Sequence, residues 1–145
     1  ISPESAVYHF RQTLASLGNG EISNCEKTHS MVGYYGYFET FEHNVSGRAE
    51  IIDDCTIKVT EFYYDGQGPD VYFYGAKDHS YSGVDAFSIG DKLNGTTFEN
   101  SEIFLTLPIG KALDDLNGIS VWCVDFNANF GQVEFTQKVP KCNYY

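Results

Sequence analysis

A chain of 145 residues, 42% hydrophobic and 20% charged, has the length and composition of one folded domain rather than a disordered tract. Its formal net charge of −11 opposes nucleic-acid phosphates and anionic lipid, so no nucleic-acid partner is expected. No apolar run approaches the ~18 residues a membrane helix needs, so no membrane span is expected either.

The chain begins at Ile1 with no apolar leader, and reads as a mature or trimmed product. Residues 2–18, SPESAVYHFRQTLASLG, predict an α-helix. Ser2 caps it, Pro3 sits where the first helical N–H has no partner, and Glu4 suits the positive end of the dipole. Val7, Phe10, Leu14 and Leu17 share one face, and Gly18-Asn19-Gly20 stops the helix. Residues 1–20 are therefore expected as a helical extension packed at the edge of a sheet, followed by a single domain over 21–145.

From there the pattern becomes strands and turns. Aromatic residues reach 16%, with 11 Tyr and 11 Phe, which favours strands. Tyr35, Tyr37 and Phe41 mark the first segment. Ala49 to Ile52 and Thr56 to Tyr64 make two more, turning at Asp53-Asp54. In the second, Ile57 and Val59 face away from Lys58 and Thr60, and the alternation slips at Glu61-Phe62 as a bulge would make it. After the turn Asp65-Gly66-Gln67-Gly68-Pro69 come strands at 71–75, 86–90, 104–108, 121–126 and 132–139. Short strands at this spacing predict an all-β fold, an antiparallel β-sandwich or flattened barrel.

Four cysteines, Cys25, Cys55, Cys123 and Cys142, allow three pairings and are spaced too widely for a structural zinc site. The sequons at Asn44 and Asn94 fit N-glycosylation. An even cysteine count with sequons points to a secreted, extracellular setting. Cys25 with Cys55 is the favoured pair, closing a loop of about 30 residues worth ~3–4 kcal/mol. That leaves Cys123 for Cys142. A hairpin turning near Ala128-Asn129 sets Cys123 opposite Glu134, with Cys142 about eight residues or ~26 Å further on. A bridge needs Cα atoms within ~7 Å, so the chain must double back at Val139-Pro140. Three states of Cys123 stay open: a disulfide, which the even count favours, a buried thiol, and a redox or cofactor ligand. The flanking Trp122, Val124 and Phe126 are apolar and Asp125 disfavours a thiolate, so an activated nucleophile is not expected.

Of the four histidines, His9, His29, His43 and His79, none shows metal-ligand spacing. The carboxylates of residues 65–70 suggest calcium, but turn formation accounts for them without the EF-hand pattern. Tyr64, Asp65, Asp70 and Tyr72 form a candidate aromatic, acidic binding surface. No hydrolase or transferase motif stands out, and no catalytic residue is assigned.

Several blocks occur in a distinctive order. His43-Asn44-Val45-Ser46-Gly47 precedes Ile57-Lys58-Val59 and Phe62-Tyr63-Tyr64-Asp65-Gly66-Gln67-Gly68-Pro69-Asp70. Val71-Tyr72-Phe73-Tyr74-Gly75, Leu107-Pro108-Ile109-Gly110-Lys111, Ser120-Val121-Trp122-Cys123 and Phe126-Asn127-Ala128-Asn129-Phe130-Gly131-Gln132-Val133 follow. In this order, over roughly residues 36 to 136, the chain resembles the DM13 domain, an extracellular module found beside DOMON domains. The resemblance implies electron transfer or cofactor binding through Cys123. The apolar, aromatic flank of Cys123 suits a haem thiolate, a metal ion is the other candidate group, and His43 and Trp122 are candidate supports. The alternative is a non-catalytic module with all its cysteines in disulfides, binding an extracellular protein, a matrix component or a small ligand.

Overall fold

A computed structural model describes residues 25–93 and 95–140. The expected N-terminal helix, Asn94 and Cys142 lie outside them. Among the described residues there is no α-helix, only a 3-10 turn at Leu113–Asp115.

The strands are β1 (Tyr34–Tyr37), β2 (Glu39–Thr40), β3 (Ser46–Asp53), β4 (Thr56–Tyr64) and β5 (Val71–Ala76). They continue as β6 (Phe87–Ile89), β7 (Phe98–Thr106), β8 (Gly118–Cys123), β9 (Ala128–Glu134) and β10 (Gln137–Lys138). Two five-stranded antiparallel sheets result, in the orders β10-β1-β3-β4-β7 and β2-β9-β8-β5-β6. They do not close on each other, so the fold is a sandwich rather than a barrel. Ile51, Ile57, Val59, Ile103 and Leu105 from one sheet face Val71, Phe73, Ile119, Val121 and Val133 from the other, all buried.

The slip foreseen in β4 is a bulge. Between the pairs Ser46↔Tyr63 and Arg48↔Thr60, β3 spends one residue and β4 two. Glu61 takes a left-handed φ of 52°, and Gly47 on the facing strand has φ 135°. A Cβ at Gly47 would stand 2.9 Å from the Thr60 carbonyl oxygen, so glycine is what lets the strands close here. The extra residue exchanges the faces of the strand. Ile57 and Val59 point inward before it; Phe62 and Tyr64 do so after it.

Two expectations about the C-terminal strands need correction. The strand expected at 121–126 stops at Cys123, because Val124–Asn127 make the hairpin turn, with Asn127 at φ 50° and its N–H on the Val124 carbonyl. Cys123 therefore faces Ala128, not Glu134. The segment expected as one strand over 132–139 is split: β9 ends at Glu134, and β10 crosses to pair with β1.

The turn after β3 holds the start of the described chain. Cys25 and Cys55 form a disulfide, with Cα atoms 6.0 Å apart. The Asp54 carboxylate accepts the N–H groups of Thr28 (2.9 Å) and His29 (2.8 Å) and the Thr28 hydroxyl (2.5 Å). The Thr28 hydroxyl and the His29 N–H hold that carboxyl below the ordinary aspartate range. This knot lies at the Thr56 end of β4; the loop bearing Pro69 lies at the Tyr64 end.

Candidate functional site

Cys123 closes β8, opposite Val71 of β5 and Ala128 of β9. Strand alternation turns Ile119, Val121 and Cys123 into the core and Trp122 to the outer face. The sulfur has no exposure and is a free thiol. Cys142, its expected partner, lies outside the described residues; Cys123 takes the buried-thiol state, and its S–H donates to the Pro69 carbonyl at 2.9 Å. The next residue, Val124, donates its N–H to the Asp70 carbonyl at 3.0 Å. Residues 65–70 are thus fastened over the sulfur at two adjacent points.

The fastening depends on small and polar residues in that loop. The Gly68 N–H donates to the Tyr64 hydroxyl at 3.0 Å. A Cβ at Gly68 would meet Phe130 Cε2 at 2.5 Å, Val71 Cγ2 at 2.8 Å and the Tyr64 hydroxyl at 2.9 Å, so glycine is obligatory on steric grounds. Burial pushes the Tyr64 phenol above its ordinary range; the Gly68 N–H opposes this, and the nearby Asp65 carboxylate adds to it.

His43 stands at the same end. Its Nδ1 is 3.1 Å from both carboxylate oxygens of Asp65, and its ring lies 4.2 Å from Phe130 and 6.3 Å from Tyr64, centre to centre. Asp65 also accepts the Gln67 N–H at 2.9 Å and donates its own N–H to the His43 carbonyl. His43 thus stands at the same end of the sandwich as Cys123, and its ring bonds to Asp65 rather than to sulfur. Trp122 is not part of this cluster. It packs on the opposite side of the sheet with Tyr74 and Tyr81, at ring distances of 6.3 and 6.2 Å.

The four residues expected as one binding surface do not form one. Tyr64 is 1% exposed, because the bulge at Glu61 turns it inward and leaves Tyr63 outside at 43%. Tyr72 faces the outer side of β5 beside Tyr74. Asp65 and Asp70 remain on the loop, Asp65 against His43 and Asp70 3.6 Å from Lys92 Nζ. Asn44 is exposed in a turn. Three participants went unrecognised in the sequence: the Pro69 carbonyl, Gly68 and Phe130. Gly68 and Pro69 lay in the turn Asp65-Gly66-Gln67-Gly68-Pro69 and, like Phe130, in the blocks that carry the resemblance, but no role at Cys123 was assigned to them.

The family model described as electron transfer DM13 matches residues 37–135, a span that includes all of these groups. The chain belongs to the DM13 family. Protein Skeletor (isoforms B/C) of Drosophila melanogaster is 37% identical over 103 residues, which cover 68% of this chain and 13% of the relative. The cytochrome b561, DM13 and DOMON domain-containing protein of Arabidopsis thaliana is 30% identical over 117 residues, 79% of this chain and 13% of the relative. The chain thus spans a small part of the curated relatives it matches, and in the plant protein the DM13 domain accompanies cytochrome b561 and DOMON domains. No solved structure matches.

Whether the DM13 site suits haem or a metal is a question of room and donors. The sulfur is enclosed and engaged by Pro69, and the space beside the loop is filled by Phe130, Val71 and Tyr64 to within contact of Gly68. A flat macrocycle could not reach the sulfur without displacing that loop. Haem does not fit this arrangement. Surface depressions of about 600, 470 and 340 Å³ lie elsewhere, and none is lined by Cys123. For a metal ion, the described residues offer one set of three groups, Cys25, Asp53 and Cys55, with ligand atoms within 4.8 Å of one another. There the two sulfurs are joined as a disulfide, leaving one carboxylate.

Proposed function

We propose that this DM13 domain is an extracellular one-electron transfer module whose redox group is the bare thiol of Cys123. The supporting observation is a free cysteine, fully buried and hydrogen-bonded to Pro69, in a chain whose other described cysteines are paired. Thiol–disulfide exchange needs a sulfur that another sulfur can approach, and an enclosed one offers no such approach. Electron transfer through intervening protein needs no contact. In one transfer the thiol gives one electron to an acceptor such as a ferric haem of a partner, which becomes ferrous. The sulfur is left as a thiyl radical and its proton passes to solvent; one electron from a one-electron donor such as a second ferrous haem, with a proton from solvent, restores the thiol. The disulfide supports an oxidising, secreted location.

The reading with every cysteine in a disulfide conflicts with the free thiol at Cys123. Rapid mixing with a one-electron oxidant, with freeze-quench electron paramagnetic resonance for a sulfur radical, tests the redox reading. Wild type should take up one oxidant equivalent and show the radical signal, and Cys123→Ala should do neither. Equal electron uptake by the two proteins would reject the thiol as the redox group.

A further inference from the structure

We infer that the end of the sandwich above Cys123 is the docking face for a basic, redox-active partner protein, with Phe126 as its apolar anchor. This rests on the redox reading and names the partner's chemistry.

The strand order gathers four loops at that end. Phe41 and Glu42 both donate their N–H groups to the Phe130 carbonyl, at 3.0 and 2.9 Å. Asp65 donates to the His43 carbonyl, Leu93 to that of Val71 and Val124 to that of Asp70. Residues 41–44, 65–70, 91–93 and 124–127 therefore form one continuous surface.

Its side chains are unlike those of ordinary turns. Phe126 is 69% exposed, Phe41 46% and Val124 40%. A four-residue hairpin turn is usually built from Gly, Asn, Asp and Ser, and Phe126 has no core to fill. Around these apolar groups stand the carboxylates of Glu42, Asp65, Asp70 and Asp125, against His43 and a single lysine, Lys92, already beside Asp70. An apolar centre within an acidic rim matches a partner whose own apolar contact surface is ringed by Lys and Arg. A second copy of this chain would bring the same carboxylates to the contact and be repelled.

The position suits the chemistry. Cys123 cannot be touched, but Val124 is its covalent neighbour and the loop over it carries Pro69. Tunnelling falls steeply with distance, so a partner seated on this face brings its redox centre as near the sulfur as contact permits.

The test uses ferricytochrome c as a basic one-electron acceptor and an acidic haem protein as control, each titrated into the isotope-labelled 145-residue chain and followed by NMR. Amide shifts should concentrate at 41–44, 65–70 and 124–127, fade at high salt and be absent with the acidic protein. Phe126→Ser should weaken binding about tenfold, as an interface anchor does. Glu42→Lys with Asp125→Lys should cost a similar factor at low salt and flatten the salt dependence. Shifts on another face, salt-insensitive binding, an unchanged Phe126→Ser or self-association through this end would overturn the inference. Cys123→Ala separates it from the reading it rests on: that variant should bind like wild type and transfer no electron. Docking here without thiol-dependent transfer would sink the redox reading alone, and thiol-dependent transfer with no shift at this end would sink the docking face alone.

Discussion

Replacing Gly68 by alanine should both destabilise the domain and unveil the thiol. The added Cβ would stand 2.5 Å from Phe130 Cε2, 2.8 Å from Val71 Cγ2 and 2.9 Å from the Tyr64 hydroxyl, where carbon atoms normally rest ~3.5–4.0 Å apart. Phe130, Val71 and Tyr64 are at most 2% exposed and have nowhere to go. The loop must lift instead, at an overpacking cost of about 1–3 kcal/mol. For a domain of this size that is a melting temperature lower by ~3–6 °C per kcal/mol. Lifting the loop also parts Pro69 from the sulfur and breaks the Gly68–Tyr64 hydrogen bond. Urea denaturation reads the first effect, and the rate of thiol labelling by a disulfide reagent under native conditions reads the second. An unchanged midpoint together with an unchanged labelling rate would refute the account of the loop as a fitted cover.

Three further outcomes follow from the same contacts. Cys123→Ala removes one buried heavy atom and leaves the Pro69 carbonyl without its donor, so it should cost about 1–2.5 kcal/mol in urea unfolding while leaving a folded domain. Asp54→Asn should weaken the protein at neutral pH. The wild-type carboxylate is held low, so its contribution is present above the unfolded-chain value and lost as pH falls through the lower folded value; the difference between variant and wild type should vanish in strong acid. Amide exchange at Thr28 and His29 should quicken in parallel. Replacing Cys25 and Cys55 by serine should cost ~3–4 kcal/mol by the loop-entropy argument for residues 30 apart in sequence, read as a lower urea midpoint.

The sequence carried the strands well where one face is buried. Thr56 to Tyr64 was legible to the residue, bulge included, because Ile57 and Val59 alternate with Lys58 and Thr60 and the pattern then slips. It carried β7 poorly: the expected strand began at Phe104, whereas pairing along the whole of β4 extends it back to Phe98 through polar residues with no periodic signal. The hairpin after Cys123 was misplaced because Val124 and Phe126 prolong the apolar run, so composition hid a turn that Asn127 makes. That single misplacement set the wrong partner opposite Cys123. At the candidate site, Cys123 and His43 were named from the resemblance and lie at one end of the sandwich, while Trp122, named with them, packs on the other side of the sheet. Tyr64 was taken for a surface residue because a bulge can be seen in a pattern before its consequence for later side chains is worked out. The Pro69 carbonyl was invisible, since a backbone acceptor leaves no mark in the identity of its residue.

A free thiol and a disulfide in one small domain are ordinarily a hazard, because the thiolate attacks the bridge and scrambles the covalent framework. Here the Cys25–Cys55 bridge sits before the first residue of β4 and the cover over Cys123 follows the last, nine residues later. At ~3.3 Å per residue that is about 30 Å of rigid strand. Held so far apart, the two sulfur chemistries keep out of each other's way, and the domain can hold an oxidised brace and a reduced cysteine in the same surroundings.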